Sequence, residues 1–340
     1  MILPFLAMLQ TPFDHLVDAP HPLSYACQRG TPKIDGKLDE AAWENAPWTS
    51  DFVDIEGSLK AAPRFKTRAK MLWDDDYFYI AAAMEEPHVW ATLTKHDSVI
   101  FHDNDFEVFI DPDGDNHNYY EFEINALNTG WDLKLPKPYR DGGPAQNEWE
   151  LPGLRTAIHI DGTINNPADK DRGWTVEIAM PWGALGGLPQ AGGHWRVNFS
   201  RVEWQFDIVE GKYVKRPGMR EDNWVWTPQW VIDMHQPQMW GYVRFENASE
   251  MPRLDPTHRA RMLLHHIYYR QKAFREKNGS FASKLTDLEI VVPDGIFLRP
   301  PRIHVRRSGF EASGVVQAGG GPVVLSIRED SLIRVLESLP

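Results

Sequence analysis

Several residue types that mark common classes of protein are scarce in this sequence. Cys27 is the only cysteine among 340 residues, so an intrachain disulfide and a zinc site built from thiolates are both excluded. Lys and Arg number 36 against 48 Asp and Glu, for a net charge of −12, and no basic stripe offers contacts to phosphates. We therefore expect no binding to nucleic acid. No internal segment is long and apolar enough to cross a bilayer, so no membrane span is expected.

Signature motifs of common enzymes are missing as well. The sequence has no HExxH metalloprotease motif, no P-loop, no dinucleotide-binding GxGxxG and no GxSxG nucleophile motif. His88, His96, His102 and His117 surround an acidic stretch, but their spacing matches no two-ligand metal motif. We expect these histidines to be solvated or hydrogen-bonded.

What the sequence has in abundance is tryptophan. It contains 14, all of them between Trp43 and Trp240. Indole rings fill hydrophobic cores and also stack on the flat apolar faces of ligands. The tryptophan content is therefore compatible with a binding site but does not locate one by itself.

Residues 1–24 begin with the apolar run MILPFLAMLQ, whose length is in the lower range for a signal peptide. No Lys or Arg precedes this run, and no clear small-residue cleavage site follows it. We interpret residues 1–24 as a degraded or mis-started export signal, with a mature N-terminus as the alternative. This interpretation predicts a secreted or periplasmic protein.

Short alternating runs separated by turn residues dominate residues 25–248. Three pairs of runs read as hairpins: RFKTRAK with YFYIAAAME, DFEVFID with NYYEFEIN, and LRTAIHIDGTI with GWTVEIAMPW. A short strand at PKID and a short helix carrying Trp43 precede them. The pattern predicts a mainly β fold, an antiparallel β-sandwich.

The pattern changes after Phe245, and we place a domain boundary near residues 248–256. Residues 256–340 predict an amphipathic helix that stops at an Asn-Gly pair, a short second helix and several short strands. We expect a small C-terminal α+β appendage whose aromatic side chains serve packing or interaction and no chemistry.

An acidic hairpin from Phe101 to Asn125 is the most informative stretch. Apolar residues alternate along both of its strands, and packing the two apolar sets together restricts the register to even shifts. The simplest register sets Glu107 opposite Glu123 and Asp105 opposite Asn125. Opposed like charges are destabilising, so we expect a cation, an arginine, a raised pKa or a hydroxyl-rich ligand to compensate.

Two chemical interpretations of this hairpin stay open beside ligand binding. Glu107 with Glu123, or with Asp105, would form the acid/base pair of a glycoside hydrolase active on xylan or pectin if their separation suits. The alternating aspartates of the DPDGD turn have the spacing of calcium ligands, although DPDG also reads as a simple tight turn. The predicted metal ligands are Asp111, Asp113 and Asp115.

The same region also suits a sugar-binding surface. Carboxylates accept hydrogen bonds from hydroxyl groups, and aromatic rings stack on the apolar faces of pyranoses. Phe101 and Trp131 flank the hairpin in sequence, and the later loop TPQWVIDMHQPQMW interleaves tryptophan, histidine and glutamine. These groups together predict a shallow polar and aromatic site.

A series of stretches follows one another along residues 25–246: IDGKLDEAAW, AKMLWDDDYFYIAAAMEEP, DNDFEVFIDPDGD, YYEFEINALN, GWTVEIAMPWGAL, WRVNFSRVE and WGYVRF. Their order resembles carbohydrate-binding module family 9. The resemblance implies a β-sandwich with structural calcium and binding of mono- or oligosaccharides, often at reducing ends. It also implies an association with xylanases, to which such modules are frequently attached.

The resemblance implies roles for single residues. Phe101 falls where the family has its first stacking tryptophan, Glu107 corresponds to its strand glutamate, and Asn125 matches its asparagine. Glu123 stands where a studied module has an arginine, and Arg201 adjoins the position of a lost glutamine as a replacement donor. The second stacking tryptophan falls near Met234 and His235, with Trp230 close by.

We therefore predict a non-catalytic carbohydrate-binding protein of extracellular polysaccharide degradation, with a glycosidase as a possible partner and structural calcium as its one cofactor. The alternatives are a glycoside hydrolase, and an assembly module with a vestigial sugar site whose C-terminal part docks a partner. The predicted sugar-binding residues are Phe101, Glu107, Glu123, Asn125, Asn128, Trp131, Arg201, Trp230 and His235.

Overall fold

The computed structural model describes residue 14 and residues 18–189, 193–245 and 255–338. The described chain is mainly β, which confirms the predicted fold class. It divides into two units, one of Pro22–Gly114 with Asn118–Pro252, the other of Met1–His21, Asp115–His117 and Arg253–Pro340. Most of the predicted export signal and of the predicted boundary near 248–256 lie outside the described residues.

The larger unit contains the β-sandwich. One sheet has the strand order β7-β6-β5-β10-β14-β1, the second has the order β1-β3-β4-β9-β8, and β13 lies between β10 and β2. A two-stranded ribbon of β11 and β12 is separate from them. The strands are β1 (Ser24–Arg29), β2 (Val53–Asp54), β3 (Thr67–Trp73), β4 (Tyr77–Glu85), β5 (Asp105–Asp111), β6 (Tyr119–Asn125), β7 (Gly130–Leu135), β8 (Arg155–Asp161), β9 (Gly173–Pro181), β10 (His194–Glu203), β11 (Phe206–Val209), β12 (Lys212–Lys215), β13 (Asp222–Val225) and β14 (Gly241–Phe245).

The three predicted hairpins are all present, as β3 with β4, β5 with β6, and β8 with β9. The short helix α1 (Ala41–Asn45) carries Trp43 as predicted. Turns of 3₁₀ helix complete the connections at Gly57–Leu59, Ile100–His102, Tyr139–Asp141, Trp182–Leu185 and Pro237–Met239.

Strand β1 belongs to both sheets, and its pairing differs from the antiparallel pairing predicted throughout. It pairs in parallel with β14, where Ser24 lies opposite Tyr242, and then in parallel with β3 through Gln28 and Arg29. The strand predicted at PKID does not form, because the backbone N–H of Asp35 donates to a side chain instead of to a neighbouring strand.

The apolar faces of the two sheets pack against each other in one core. Residues of β5, β6 and β10 meet residues of β4 and β9 there, with tryptophan and phenylalanine rings filling the space. The buried set includes Phe78, Ile80, Phe106, Val108, Phe122, Ile124, Trp174, Val176, Ile178 and Phe199. Because strand residues alternate faces, the acidic residues between these positions lie on the opposite face of the first sheet.

The stretch IDGKLDEAAW wraps around one buried carboxylate. Glu177 on β9 accepts the backbone N–H of Asp35 at 2.8 Å and of Gly36 at 2.5 Å, and it accepts Trp43 Nε1 at 2.6 Å. Gly36 has φ of +88°, and a Cβ there would lie 2.5 Å from the carbonyl carbon of Ile158, so a side chain does not fit. The carboxylate thus holds the turn and α1 against the second sheet.

Replacing Glu177 with glutamine is expected to lower the free energy of unfolding by about 1–3 kcal/mol. One amide nitrogen cannot accept the N–H groups that the carboxylate accepts, so a buried donor loses its partner. Urea denaturation would measure the loss. The same change at Glu44, which is exposed on α1, serves as the control and is expected to cost less than about 0.5 kcal/mol. Equal losses at both positions would contradict this account.

The smaller unit contains helix α2 (His258–Asn278), which confirms the predicted helix and its end. Gly279 follows it with φ of +72°, and its N–H donates to the Arg275 carbonyl. The short second helix is the 3₁₀ turn Leu285–Leu288. Strands β15 (Arg299–Val305), β16 (Phe310–Ala318), β17 (Gly321–Arg328) and β18 (Ile333–Ser338) form an antiparallel sheet in that order. Among the described residues, no helix combines the length and apolar character needed to span a bilayer.

Candidate functional site

A cavity of ≈ 280 Å³ lies on the face of the first sheet that points away from the core. Strands β5, β6 and β7 supply its floor, and the segments around Asn223 and His235 supply its walls. Its acidic lining residues are Glu107, Glu121, Glu123, Glu221 and Asp233. Its aromatic lining residues are Phe101, Phe109, Trp131, Tyr139 and His235.

The predicted register of the acidic hairpin is confirmed. Glu107 lies opposite Glu123, and Asp105 lies opposite Asn125. The row continues onto the neighbouring strands, because Ser200 of β10 lies opposite Glu107 and Trp131 of β7 lies opposite Glu123. Side chains from four adjacent strands therefore stand side by side across the cavity floor.

The carboxylates of this floor are nearly inaccessible to solvent. Asp105 is 0% exposed, Glu107 and Glu121 are each 5% exposed, and Glu123 is 2% exposed. One carboxylate oxygen from each of Asp105, Glu107 and Glu123 lies within 4.8 Å of the others. The sequence predicted an acidic patch facing outward, and the structure has that patch at the bottom of a cavity whose walls cover it.

Burial disfavours the charged form of these carboxylates. It raises the pKa of Glu107 to about 7, and the negative charge of Glu221 acts in the same direction. The pKa values of Glu121 and Glu123 are raised well above the ordinary value, first by burial and then by the charge of Glu107. The N–H of Phe101 donates to Glu123 at 3.0 Å and partly offsets the rise.

The aromatic residues of the cavity carry polar groups of their own. Trp131 is half-buried, and its Nε1 has no hydrogen-bond partner among the described residues. The His235 ring meets Tyr139 edge to face at 4.5 Å, and its Nδ1 lies 2.9 Å from the Tyr119 hydroxyl. Burial lowers the pKa of His235 to about 4, so its imidazole is neutral at neutral pH.

Arg201, predicted as a replacement donor to a sugar, does not line the cavity. Its guanidinium, 1% exposed, donates to Glu86 at 2.8 Å and to Glu203 at 2.9 Å. Arg201 lies opposite Phe106, a core residue, which places its side chain on the core side of the sheet. Because successive side chains of a strand point to opposite faces of the sheet, Arg201 lies on the face opposite the cavity.

Three other predicted residues also lie away from the cavity lining. Asn125 is fully buried, and its Nδ2 donates to the Leu93 carbonyl and to Asp103. Asn128 is exposed in the β6–β7 turn with φ of +61°. Trp230 has φ of +63°, and its ring packs so closely on Gly57 that a Cβ there would lie 2.7 Å from it. This packing on the turn at Gly57 holds the Trp230 ring away from the cavity lining.

The predicted calcium ligands lie where β5 ends. Asp111 is buried and accepts the N–H of Gly114 at 3.0 Å, as expected of a tight turn. Asp113 is exposed, and the two carboxylates have oxygens within 4.8 Å of each other. Asp115 belongs to the other unit. Calcium binding by Asp111, Asp113 and Asp115 stays a prediction.

Several cavity residues were missed from the sequence. Glu121 shares a strand face with Glu123, so alternation along β6 was a sufficient signal for it. Tyr139, Arg220, Glu221 and Asp233 come from irregular segments that approach the floor only in the folded chain. No local pattern marked these four residues.

Comparison with known proteins gives a consistent family. The profile described as "Carbohydrate family 9 binding domain-like" matches residues 34–248. The chain is 28% identical over 156 residues to endo-1,4-beta-xylanase A of Thermoanaerobacterium saccharolyticum, which is 46% of this chain and 11% of that enzyme. It is 33% identical over 167 residues to endo-1,4-beta-xylanase A of Thermotoga maritima, which is 47% of this chain and 13% of that enzyme.

The chain thus spans only about a tenth of the length of the curated relatives it matches. A similar solved structure is a carbohydrate binding module family 9 from Caldicellulosiruptor kristjanssonii in complex with cellotriose. It has 16% sequence identity and a TM-score of 0.46, over 67% of this chain and 95% of that one.

Proposed function

Because this chain belongs to the carbohydrate family 9 binding domain-like family, we propose that it binds a carbohydrate, without cleaving it, in the cavity on β5, β6 and β7. The observation that carries the proposal is the pairing of buried carboxylates with aromatic rings around one cavity. Glu107 and Glu123 offer acceptors to sugar hydroxyls. Trp131 offers a ring for stacking, and it offers as a donor an N–H that has no partner among the described residues.

The size of the cavity favours a short ligand. Sites for drug-sized ligands typically measure roughly 300–1,000 Å³, so ≈ 280 Å³ is at the small end. We infer that one sugar residue, or the end of a glycan, enters the cavity while the rest of a longer chain extends past Tyr139, which is 47% exposed. Binding is expected to be weak, because each hydrogen bond only replaces one to water.

The geometry disfavours hydrolysis by the carboxylates considered above. Acid and base flank the scissile bond about 5–5.5 Å apart in retaining glycosidases and about 6.5–9.5 Å apart in inverting ones. Glu107 and Glu123 instead stand side by side on neighbouring strands of the cavity floor and do not face each other across the cavity, where they would flank a scissile bond. Asp105 does not line the cavity. A binding role therefore fits this floor better than an acid/base pair.

We further propose that the protein is exported and acts on plant-type polysaccharide together with a glycosidase. The two relatives named above are endo-1,4-beta-xylanases, and only about a tenth of each is matched here. Xylan is therefore the first polysaccharide to test. A glycosidase partner would supply the cleavage that this chain is proposed to lack.

Titration calorimetry with glucose, cellotriose and xylotriose tests the proposal, with reducing-sugar release measured in parallel. Trp131→Ala is expected to weaken binding at least about fivefold, since a stacking ring contributes about 1 kcal/mol. Trp48→Ala is the matched control, because Trp48 is also half-buried but stacks on Arg68 outside the cavity.

The expected result is saccharide binding that survives Trp48→Ala and weakens in Trp131→Ala, without release of reducing sugar. The absence of binding heat for all three sugars with folded protein would contradict the proposal. So would equal weakening in both variants, which would place the site elsewhere. Sugar release abolished by Glu107→Gln would support the hydrolase instead.

A further inference from the structure

A cluster of three carboxylates lies at the floor of the cavity. Asp105, Glu107 and Glu123 each contribute an oxygen to a set whose members all lie within 4.8 Å of one another. Within the described parts of the chain, none of the ion pairs to Lys, Arg or His involves these three residues. Where water is excluded, three carboxylates at this spacing can all be ionised only at a large electrostatic cost unless a cation lies between them.

One buried oxygen of the cluster accepts no hydrogen bond from the part of the chain that the structure describes. Asp105 is 0% exposed, and its Oδ1 accepts the N–H of Val202 at 3.3 Å. Its Oδ2 has no hydrogen-bond partner among the residues that the structure describes. A buried polar atom without a partner is costly, so a group that coordinates Oδ2 would stabilise the fold.

A sugar in the cavity does not resolve this arrangement. Asp105 is not among the lining residues, so it lies below the surface that a sugar hydroxyl would touch. A hydroxyl group also brings no charge to offset the repulsion. A small cation seated between the three side chains would contact Asp105 from the interior and Glu107 and Glu123 from the cavity side.

The donor types select the kind of cation. Oxygen donors alone favour hard cations such as calcium or magnesium over zinc or copper. Magnesium demands near-ideal octahedral geometry and is usually held by only one or two carboxylates, whereas calcium accepts several protein carboxylates in flexible geometry. Three carboxylates that converge from neighbouring strands therefore suit calcium.

We propose that Asp105, Glu107 and Glu123 bind a calcium ion at the floor of the cavity. The ion takes one oxygen from each side chain, and its remaining positions face the cavity, where water or a ligand oxygen completes them. This site is distinct from the turn of Asp111 and Asp113. It goes beyond the proposed sugar binding and does not depend on it, since the ion binds whether or not a sugar is present.

Calorimetric titration of the full chain with calcium chloride, after removal of ions with chelator, tests the proposal. Asp105→Asn keeps the shape of the side chain and removes its charge, and it is expected to weaken calcium binding at this site at least tenfold. Glu107→Gln serves as a second variant with the same expectation. Asp113→Asn removes a carboxylate from the exposed turn and is the matched control.

The expected pattern is one calcium-binding step that is present in the native protein and in Asp113→Asn and is lost in both cavity variants. In the same series, calcium is expected to raise the Tm of the native protein and to have a smaller effect on Asp105→Asn, whose circular dichroism confirms folding. Unchanged calcium binding in Asp105→Asn, or loss only in Asp113→Asn, would overturn the proposal. Native protein that binds no calcium at millimolar concentration would also overturn it. Failure of the sugar titrations would leave this test unaffected.

Discussion

Replacing Arg201 with methionine is expected to lower the free energy of unfolding by about 3–5 kcal/mol. The guanidinium joins Glu86 and Glu203, and all three side chains are at most 2% exposed. The second terminal nitrogen of the Arg201 guanidinium donates to the Thr67 hydroxyl and to the Glu85 carbonyl. Methionine fills similar volume but leaves two buried carboxylates without a cation, which is the costly way to break a buried ion pair. Urea denaturation at neutral pH would measure the loss.

Arg172→Met is the matched control for this loss. Arg172 pairs with Asp161, but its side chain is 82% exposed, so its removal is expected to leave stability nearly unchanged. In protein that remains folded, Arg201→Met should bind saccharide as the native chain does, because Arg201 does not line the cavity. Similar losses for both arginines would contradict the structural role. Selective loss of sugar binding in a stable Arg201→Met would restore the role that the family resemblance implied.

Hairpins were the part of the fold that local sequence could predict. A two-residue period and polar turns determine which neighbouring strands pair and which residues share a face, and all three predicted pairs are present. Strand β1 escaped prediction because its partners, β3 and β14, are distant in sequence and alternation carries no information on strand direction. The predicted strand at PKID failed for a related reason. The N–H of Asp35 is satisfied by Glu177, which follows more than a hundred residues later.

Residues of the candidate site were predictable from the sequence where they belong to the acidic hairpin. The register placed Glu107 and Glu123 opposite each other, and their positions on the cavity floor followed from that pairing. Arg201 was misplaced because adjacency to Ser200 in sequence puts it on the other face of the strand. Trp230 was misplaced because its ring packs on Gly57, a contact between distant segments. Tertiary partners of this kind leave no trace in a single sequence.

The second prediction with a large effect concerns Glu107 and His235. In the metal-free protein, protonation of these two cavity residues changes the stability of the fold with pH in opposite directions. Burial raises the pKa of Glu107 from 4.5 to about 7 and lowers that of His235 from 6.5 to about 4. The folded state therefore holds a proton on Glu107 that the unfolded state has lost between pH 4.5 and 7. The stability contributed by Glu107 is complete below pH 4.5 and is lost as the pH rises through 7. For His235, the contribution is complete above pH 6.5 and is lost as the pH falls through 4.

A pKa that changes from 4.5 to about 7, or from 6.5 to about 4, corresponds to about 3 kcal/mol, so substitutions should separate the two groups. In the presence of chelator, the free energy of unfolding of Glu107→Gln, relative to that of the native protein, is expected to rise by up to about 3 kcal/mol as the pH rises from 4 to 8. The free energy of unfolding of His235→Gln, relative to that of the native protein, is expected to rise by a similar amount as the pH falls from 7 to 4. Lost packing would add an offset that does not depend on pH. Urea denaturation at several pH values gives both differences.

The opposite signs make this comparison decisive about the cavity itself. Asp105, Glu121 and Glu123 have raised pKa values too, so the native protein alone would show only a summed slope. Subtraction of the native curve removes the contributions that a substitution leaves unchanged. Because burial and, after it, the charge of Glu107 raise the pKa values of Asp105, Glu121 and Glu123, their response is part of the Glu107→Gln difference. If both differences stay flat between pH 4 and 8, water solvates the floor and the carboxylates are ordinary surface acids. A floor of that kind would have no need of calcium, so the same flat curves would also remove the electrostatic reason for the proposed ion.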